Sequence, residues 1–174
     1  MTTLSTGADS VSQSNLELKK WCEYNKVEFH ETTLHDLEEF KFDSGFIFTG
    51  DKKDELNNGN PKHWLAIYGN YVFDSYGARD YKIPQQLQFM DHSPKRLQAY
   101  DSAVCGPYCA LFLETAKTSK VTEDELGNEF VHRFSLGNNP RDNDSKILRE
   151  YLQRAPESVK EETLKQADDE GNPD

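Results

Sequence analysis

The sequence predicts an α+β domain in which a small mixed or antiparallel sheet packs against helices and a cysteine opens a buried central helix. Two segments carry this. Trp64 to Phe73 consists of two short β-prone runs around Gly69-Asn70, a two-residue turn signal that specifies a hairpin pairing Tyr68 with Tyr71 and Ala66 with Phe73. Val104 to Thr118 is an apolar run with good helix formers from Ala110 onward, and Ser102 or Asp101 is placed to cap its first turn.

The remaining elements follow in chain order. Ser14-Asn15-Leu16-Glu17 has capping-box spacing and starts a helix over Asn15 to Tyr24, with Leu16, Trp21 and Tyr24 as its expected apolar face. Thr33 to Phe40 reads as a short helix with Leu34, Leu37 and Phe40 on one stripe, and Gly45 to Gly50 as a strand. Asp51 to Lys62 is a polar loop leading to His63 and expected to border a cleft. Pro84 to Phe89 reads as a short helix and Arg96 to Tyr100 as a strand carrying Gln98. Helices are expected from Thr122 to about Phe134 and from Asp142 to Leu152, the latter turning Ile147, Leu148, Tyr151 and Leu152 inward. The expected organisation is a flexible N-terminus over 1–14, one domain over 15–152 and a flexible acidic tail over 153–174.

Composition narrows the function classes. A net charge of −11 over 174 residues, with Pro94-Lys95-Arg96 as the notable basic cluster, opposes general nucleic-acid binding, which needs clustered Lys and Arg. No apolar run approaches the ~20 residues that cross a bilayer, and the N-terminus lacks a basic-then-apolar secretory pattern. A non-secreted, membrane-free protein acting as a monomer is expected. Cys22, Cys105 and Cys109 form an odd set without zinc-type spacing, which suits free thiols in a reducing compartment and gives no reason to expect a metal.

The chemistry lies in four residues. Cys105 at a helix N-terminus gains from the dipole and unpaired N–H groups there, which favour the thiolate. The hairpin places His63 and Asp74 on adjoining strands, so a carboxylate can orient an imidazole. Gln98, seven residues before Cys105, offers an amide to join the Cys105 N–H in an oxyanion hole. Ordinary roles compete with each: an isolated cysteine on an apolar helix is usually a small core residue, the reading kept for Cys22 and Cys109. Trp64 has the area of a core residue, His30, His35, His92 and His132 read as exposed or capping, and Asp80 and Asp101 as turn and cap residues.

Taken together, His63-Trp64, Phe73-Asp74-Ser75-Tyr76-Gly77 with a later Asp80, and Gln98 followed by Ser102-Ala103-Val104-Cys105-Gly106-Pro107-Tyr108-Cys109 resemble the adenovirus endopeptidase (adenain) group. That group lies in the clan containing ubiquitin-like-protein proteases, and the likeness covers about His63 to Leu113. It implies a papain-like or adenain-like cysteine protease fold, with His63, Asp74 and Cys105 as the triad, Gln98 at the oxyanion position and Trp64 as a substrate-binding residue in a shielding or oxyanion-supporting position beside the histidine. Small size and element order resemble the proteases of virophages and Polinton-type elements. The resemblance therefore implies maturation of capsid precursor proteins in the virion and host cytoplasm, with cleavage after small residues such as Gly-Gly or Gly-X. Asp74 stands where adenain commonly has glutamate. The basic, DNA- and peptide-activated character of adenain has no counterpart in so acidic a chain, so neither cofactor is carried over. Two alternatives stand beside this: a ubiquitin-like-protein deconjugating protease of the same clan, and a binding module that kept the fold without turnover.

Overall fold

A computed structural model of the chain describes residues 13–34, 36–49, 63–77, 87, 90–93, 95–99, 102–135 and 139–171. Their order is α1 (Asn15–Tyr24), β1 (Glu31–Thr33), a 3-10 turn (Leu37–Glu39), β2 (Ser44–Phe48), β3 (Trp64–Tyr68), β4 (Tyr71–Phe73) and β5 (Asp91–His92). Helices α2 (Cys105–Thr118), α3 (Glu123–Ser135), α4 (Pro140–Gln153) and α5 (Glu157–Gly171) follow. The five strands form one mixed sheet in chain order, with β1–β2 and β4–β5 parallel and the two central pairs antiparallel.

Both faces of the sheet are covered, so the central strands read as continuous apolar runs rather than alternating ones. On one face Phe46, Trp64, Ala66 and Phe73 pack with α2, α3 and α4; on the other, Ile47, Leu65, Ile67 and Val72 meet Leu34 and Leu87. The hairpin has the register that its turn specifies, Tyr68 opposite Tyr71 and Ala66 opposite Phe73, and Gly69 supplies the positive φ of +58°. Helix α2 is the hub, with Cys105 to Leu113 all buried. Phe73 stacks on Phe112 at 4.8 Å, tying the hairpin to it.

Several elements differ from expectation. Helix α1 starts where the capping box places it, Glu17 N–H donating to Ser14 Oγ at 3.2 Å, but it buries Leu18, Trp21 and Cys22 while Leu16 and Tyr24 stay exposed. Residues 18, 21 and 22 share a helical face that position 16 does not. Helix α2 has Val104 as N-cap without a side-chain bond, because Ser102 Oγ donates instead to the Ala99 carbonyl at 3.1 Å; Asp101 lies outside the described residues. Thr33 to Phe40 supplies the end of β1 and the 3-10 turn rather than a helix. Arg96 to Ala99 forms no strand, since the N–H groups of Leu97 and Gln98 both converge on the Ser75 carbonyl at 2.8 and 3.0 Å. Helix α4 begins two residues early, capped by Asn139 with Pro140 at its first position.

The largest correction concerns the ends. The expected flexible tail over 153–174 contains α5, whose Val159 and Thr163, with Ala155 before them, are buried at four-residue spacing. Gln13, assigned to a flexible N-terminus, is buried too: its Nε2 donates to Thr163 Oγ1 at 3.0 Å and its Oε1 accepts from Tyr151 Oη at 2.8 Å. A narrow stripe under many charges suffices to dock a helix. Residues 1–12, Gly50, the expected loop over Asp51 to Lys62, Asp80, His35 and all of Pro84 to Phe89 except Leu87 lie outside the described residues. Among the described residues no helix is long and apolar enough to cross a membrane.

Candidate active site

His63 immediately precedes β3 and Asp74 immediately follows β4, so the hairpin brings the ends of two adjacent strands side by side. His63 Nε2 lies 2.7 Å from Asp74 Oδ1, with both residues buried. Asp74 is fixed by its surroundings: the same Oδ1 accepts from the Tyr76 N–H at 2.8 Å, and Ser93 Oγ accepts from the Asp74 N–H at 2.9 Å while donating to its carbonyl at 3.0 Å. Gly77 closes the turn with a φ of +77°, and a Cβ there would stand 2.6 Å from the Lys95 carbonyl carbon. Tyr76 stacks on the imidazole at 4.4 Å. The ring is held at one edge by the carboxylate and on one face by Tyr76.

Cys105 is the first residue of α2, and its Sγ accepts the Trp64 backbone N–H at 3.4 Å. Burial, the largest single influence on His63, disfavours the imidazolium. The Asp74 carboxylate, the Cys105 sulfur and hydrogen bonds to both outweigh it and hold the pKa at about 10, up from 6.5. With Nε2 committed to Asp74, Nδ1 is the ring nitrogen that serves the sulfur. The arrangement favours a proton on the ring beside the Cys105 sulfur.

Trp64 is gripped from several directions. Cys109, one turn into α2, donates its S–H to the Trp64 carbonyl at 3.4 Å, and the indole Nε1–H donates to the Gln13 carbonyl at 3.3 Å. Burial pushes the Cys109 thiol well above its ordinary pKa, reinforced by the nearby Cys105 and Asp74 charges, so it stays a neutral donor.

Gln98 is placed differently from the expected oxyanion donor. It is fully buried and does not line the cleft: Oε1 accepts from Ser75 Oγ at 2.5 Å and Nε2 donates to the Ser102 carbonyl at 3.0 Å. Its amide braces the segment leading into Cys105. That segment is also held by α4, where Asn143 Nδ2 donates to the Leu97 carbonyl at 3.1 Å and Asp144 accepts from the Ala99 N–H at 3.2 Å and from Tyr108 Oη at 2.9 Å.

Cys105, His63, Trp64 and Tyr76 meet in a cleft of about 1030 Å³, bounded by Gln13, Ser14, Asn15 and Glu17 around the α1 start, by β1 with Asp36, by Ser102 and Ala103, and by Gln166 of α5. His30, His92 and His132 do not line it. Sequence reasoning gave no site role to Gln13, Tyr76 or Ser93. For Gln13 the signal was present, because the capping box fixes Ser14 and therefore the residue before it; Ser93 had none. No protein-family model and no curated protein sequence matches the chain.

Proposed function

We propose that the chain is a cysteine endopeptidase, and that it processes capsid precursor proteins of a virophage- or Polinton-like virus during maturation. The observation that carries the enzymatic reading is the buried Asp74–His63 pair at 2.7 Å beside a cysteine at a helix N-terminus. Cys105 Sγ attacks the scissile carbonyl, His63 Nδ1–H delivers its proton to the departing amine, and Asp74 holds the ring oriented and stabilises its charge. His63 then takes a proton from water, which attacks the thioester and releases Cys105. The developing oxyanion is met by backbone N–H groups at the start of α2, while Gln98 positions Ser102 and the approach to Cys105.

The papain-like or adenain-like topology, the capsid substrate and cleavage after Gly-Gly or Gly-X rest on the motifs resembling adenovirus endopeptidase. The cleft supports an extended substrate, because it runs open from Cys105 to the edge of the sheet. Co-expression of a capsid precursor with wild-type or Cys105→Ala protein tests the assignment: processing is lost in the variant, and undiminished processing overturns it. Fast labelling of Cys105 by ubiquitin-like C-terminal probes, without capsid cleavage, moves the assignment to deconjugation.

A further inference from the structure

The register of the sheet lays out the floor of the cleft. Trp64 of β3 pairs with Phe48 of β2, and Phe48 pairs with Thr33 of β1, so these side chains form one row across three strands on the face that carries Cys105. Adjacent strands lie ~4.8 Å apart, so the row extends ~10 Å from Trp64 to the edge of the sheet, about three residues of extended peptide.

At that far end the cleft is acidic. Glu31 and Asp36 are exposed on one wall, Glu17 stands on the α1 wall, and no Lys or Arg lines the cleft among the described residues. Two further observations bear on what fits there. Oε2 of Glu17 is shielded from solvent and has no hydrogen-bond partner, an arrangement that a cationic donor would relieve. The Phe46 N–H bonds to the His30 carbonyl at 2.9 Å, and in a parallel pair this turns the backbone of His30 and Thr32 toward β2. The N–H and C=O of Glu31 and Thr33 therefore face the open edge, where extended peptide finds partners.

Resting on the endopeptidase reading, we infer that the substrate is basic: a Lys or Arg about three residues from the scissile bond meets the carboxylates of Glu17, Glu31 and Asp36 that line the cleft while the peptide backbone meets the β1 edge. Charge on this substrate would complement a protein that is itself strongly acidic.

The test uses full-length Cys105→Ala protein and fluorescein-labelled Gly-Gly peptides carrying Lys, Gln or Glu at the second to fifth position on either side. On one side, the Lys peptide is expected to bind about tenfold more tightly than its Glu isomer at the third or fourth position, with the difference shrinking at high salt. Glu31→Gln, Asp36→Asn and Glu17→Gln, each added to Cys105→Ala, are expected to cut that preference to about threefold or less. Equal binding of Lys and Glu isomers, or a preference that survives all three substitutions, overturns the inference. Hydrolysis by wild-type protein is scored separately. Cleavage of the Gln peptide without charge preference removes the basic substrate and keeps the endopeptidase, whereas selective Lys binding without hydrolysis of any peptide keeps the acidic cleft and removes the endopeptidase.

Discussion

Asp74 Oδ1 serves His63 Nε2 and the Tyr76 backbone N–H at once, at 2.7 and 2.8 Å, so a single carboxylate oxygen sets both the imidazole and the turn that stacks Tyr76 on it. Asp74→Asn keeps the shape and removes the charge that raises the His63 pKa. Turnover of a cleavable peptide should fall roughly 10²- to 10⁴-fold, with the His63 pKa, followed by NMR, moving down. An unchanged pKa would show that the pair is not electrostatically coupled.

The same coupling makes stability depend on pH. The folded-state value of His63, about 10, lies above the 6.5 of an unperturbed ring, so the folded chain binds this proton more tightly than the unfolded chain. The stabilisation is complete below about pH 6.5 and is lost as pH rises toward 10. Thermal melts from pH 6 to pH 10 should show a larger decline for wild type than for Asp74→Asn.

Thiol labelling separates the three cysteines. Burial raises the Cys22 pKa to about 12, helped by Glu23, and raises Cys109 as well, whereas Cys105 faces the cleft and an imidazolium. Iodoacetamide at neutral pH should alkylate Cys105 alone in the native protein, and all three in denaturant, as read by peptide mass spectrometry. Native labelling of Cys109 would contradict its burial.

Gln98→Ala discriminates a brace from an oxyanion donor. Removing the amide strands Ser75 Oγ and the Ser102 carbonyl in the interior, which should cost about 1–3 kcal/mol in denaturant unfolding along with turnover. A stability like that of wild type combined with a large loss of kcat would restore the oxyanion role.

Val159, almost fully buried on α5, gives a direct check of the docked C-terminal helix. Val159→Asp buries an unpaired carboxylate and should destabilise by about 3 kcal/mol or more, lowering Tm by several degrees. A frayed tail would tolerate the change.

Much of this arrangement is legible in the chain because local signals agree. Gly69-Asn70 fixes the hairpin register, and that register alone brings His63 and Asp74 to neighbouring strand ends. Capping residues set the α1 start, and the apolar run sets α2. What escapes is set by tertiary contact. The strands β1 and β5, three and two residues long, carry too few side chains for a period to show. The Gln98 amide is claimed by Ser75 and Ser102, partners fixed by the fold rather than by spacing. Helix α5 hides because its charge dominates its composition while Val159 and Thr163, with Ala155 just ahead of it, do the docking.

The Gln13–Thr163 bond spans 150 positions, and the Gln13 that makes it also receives the Trp64 indole beside the nucleophile. A chain emerging from the ribosome holds Gln13, His63 and Cys105 outside the exit tunnel well before Thr163 is translated. Closure of the pocket thus waits for α5, and a polypeptide not yet extended through that helix carries the thiol without the finished framework around it.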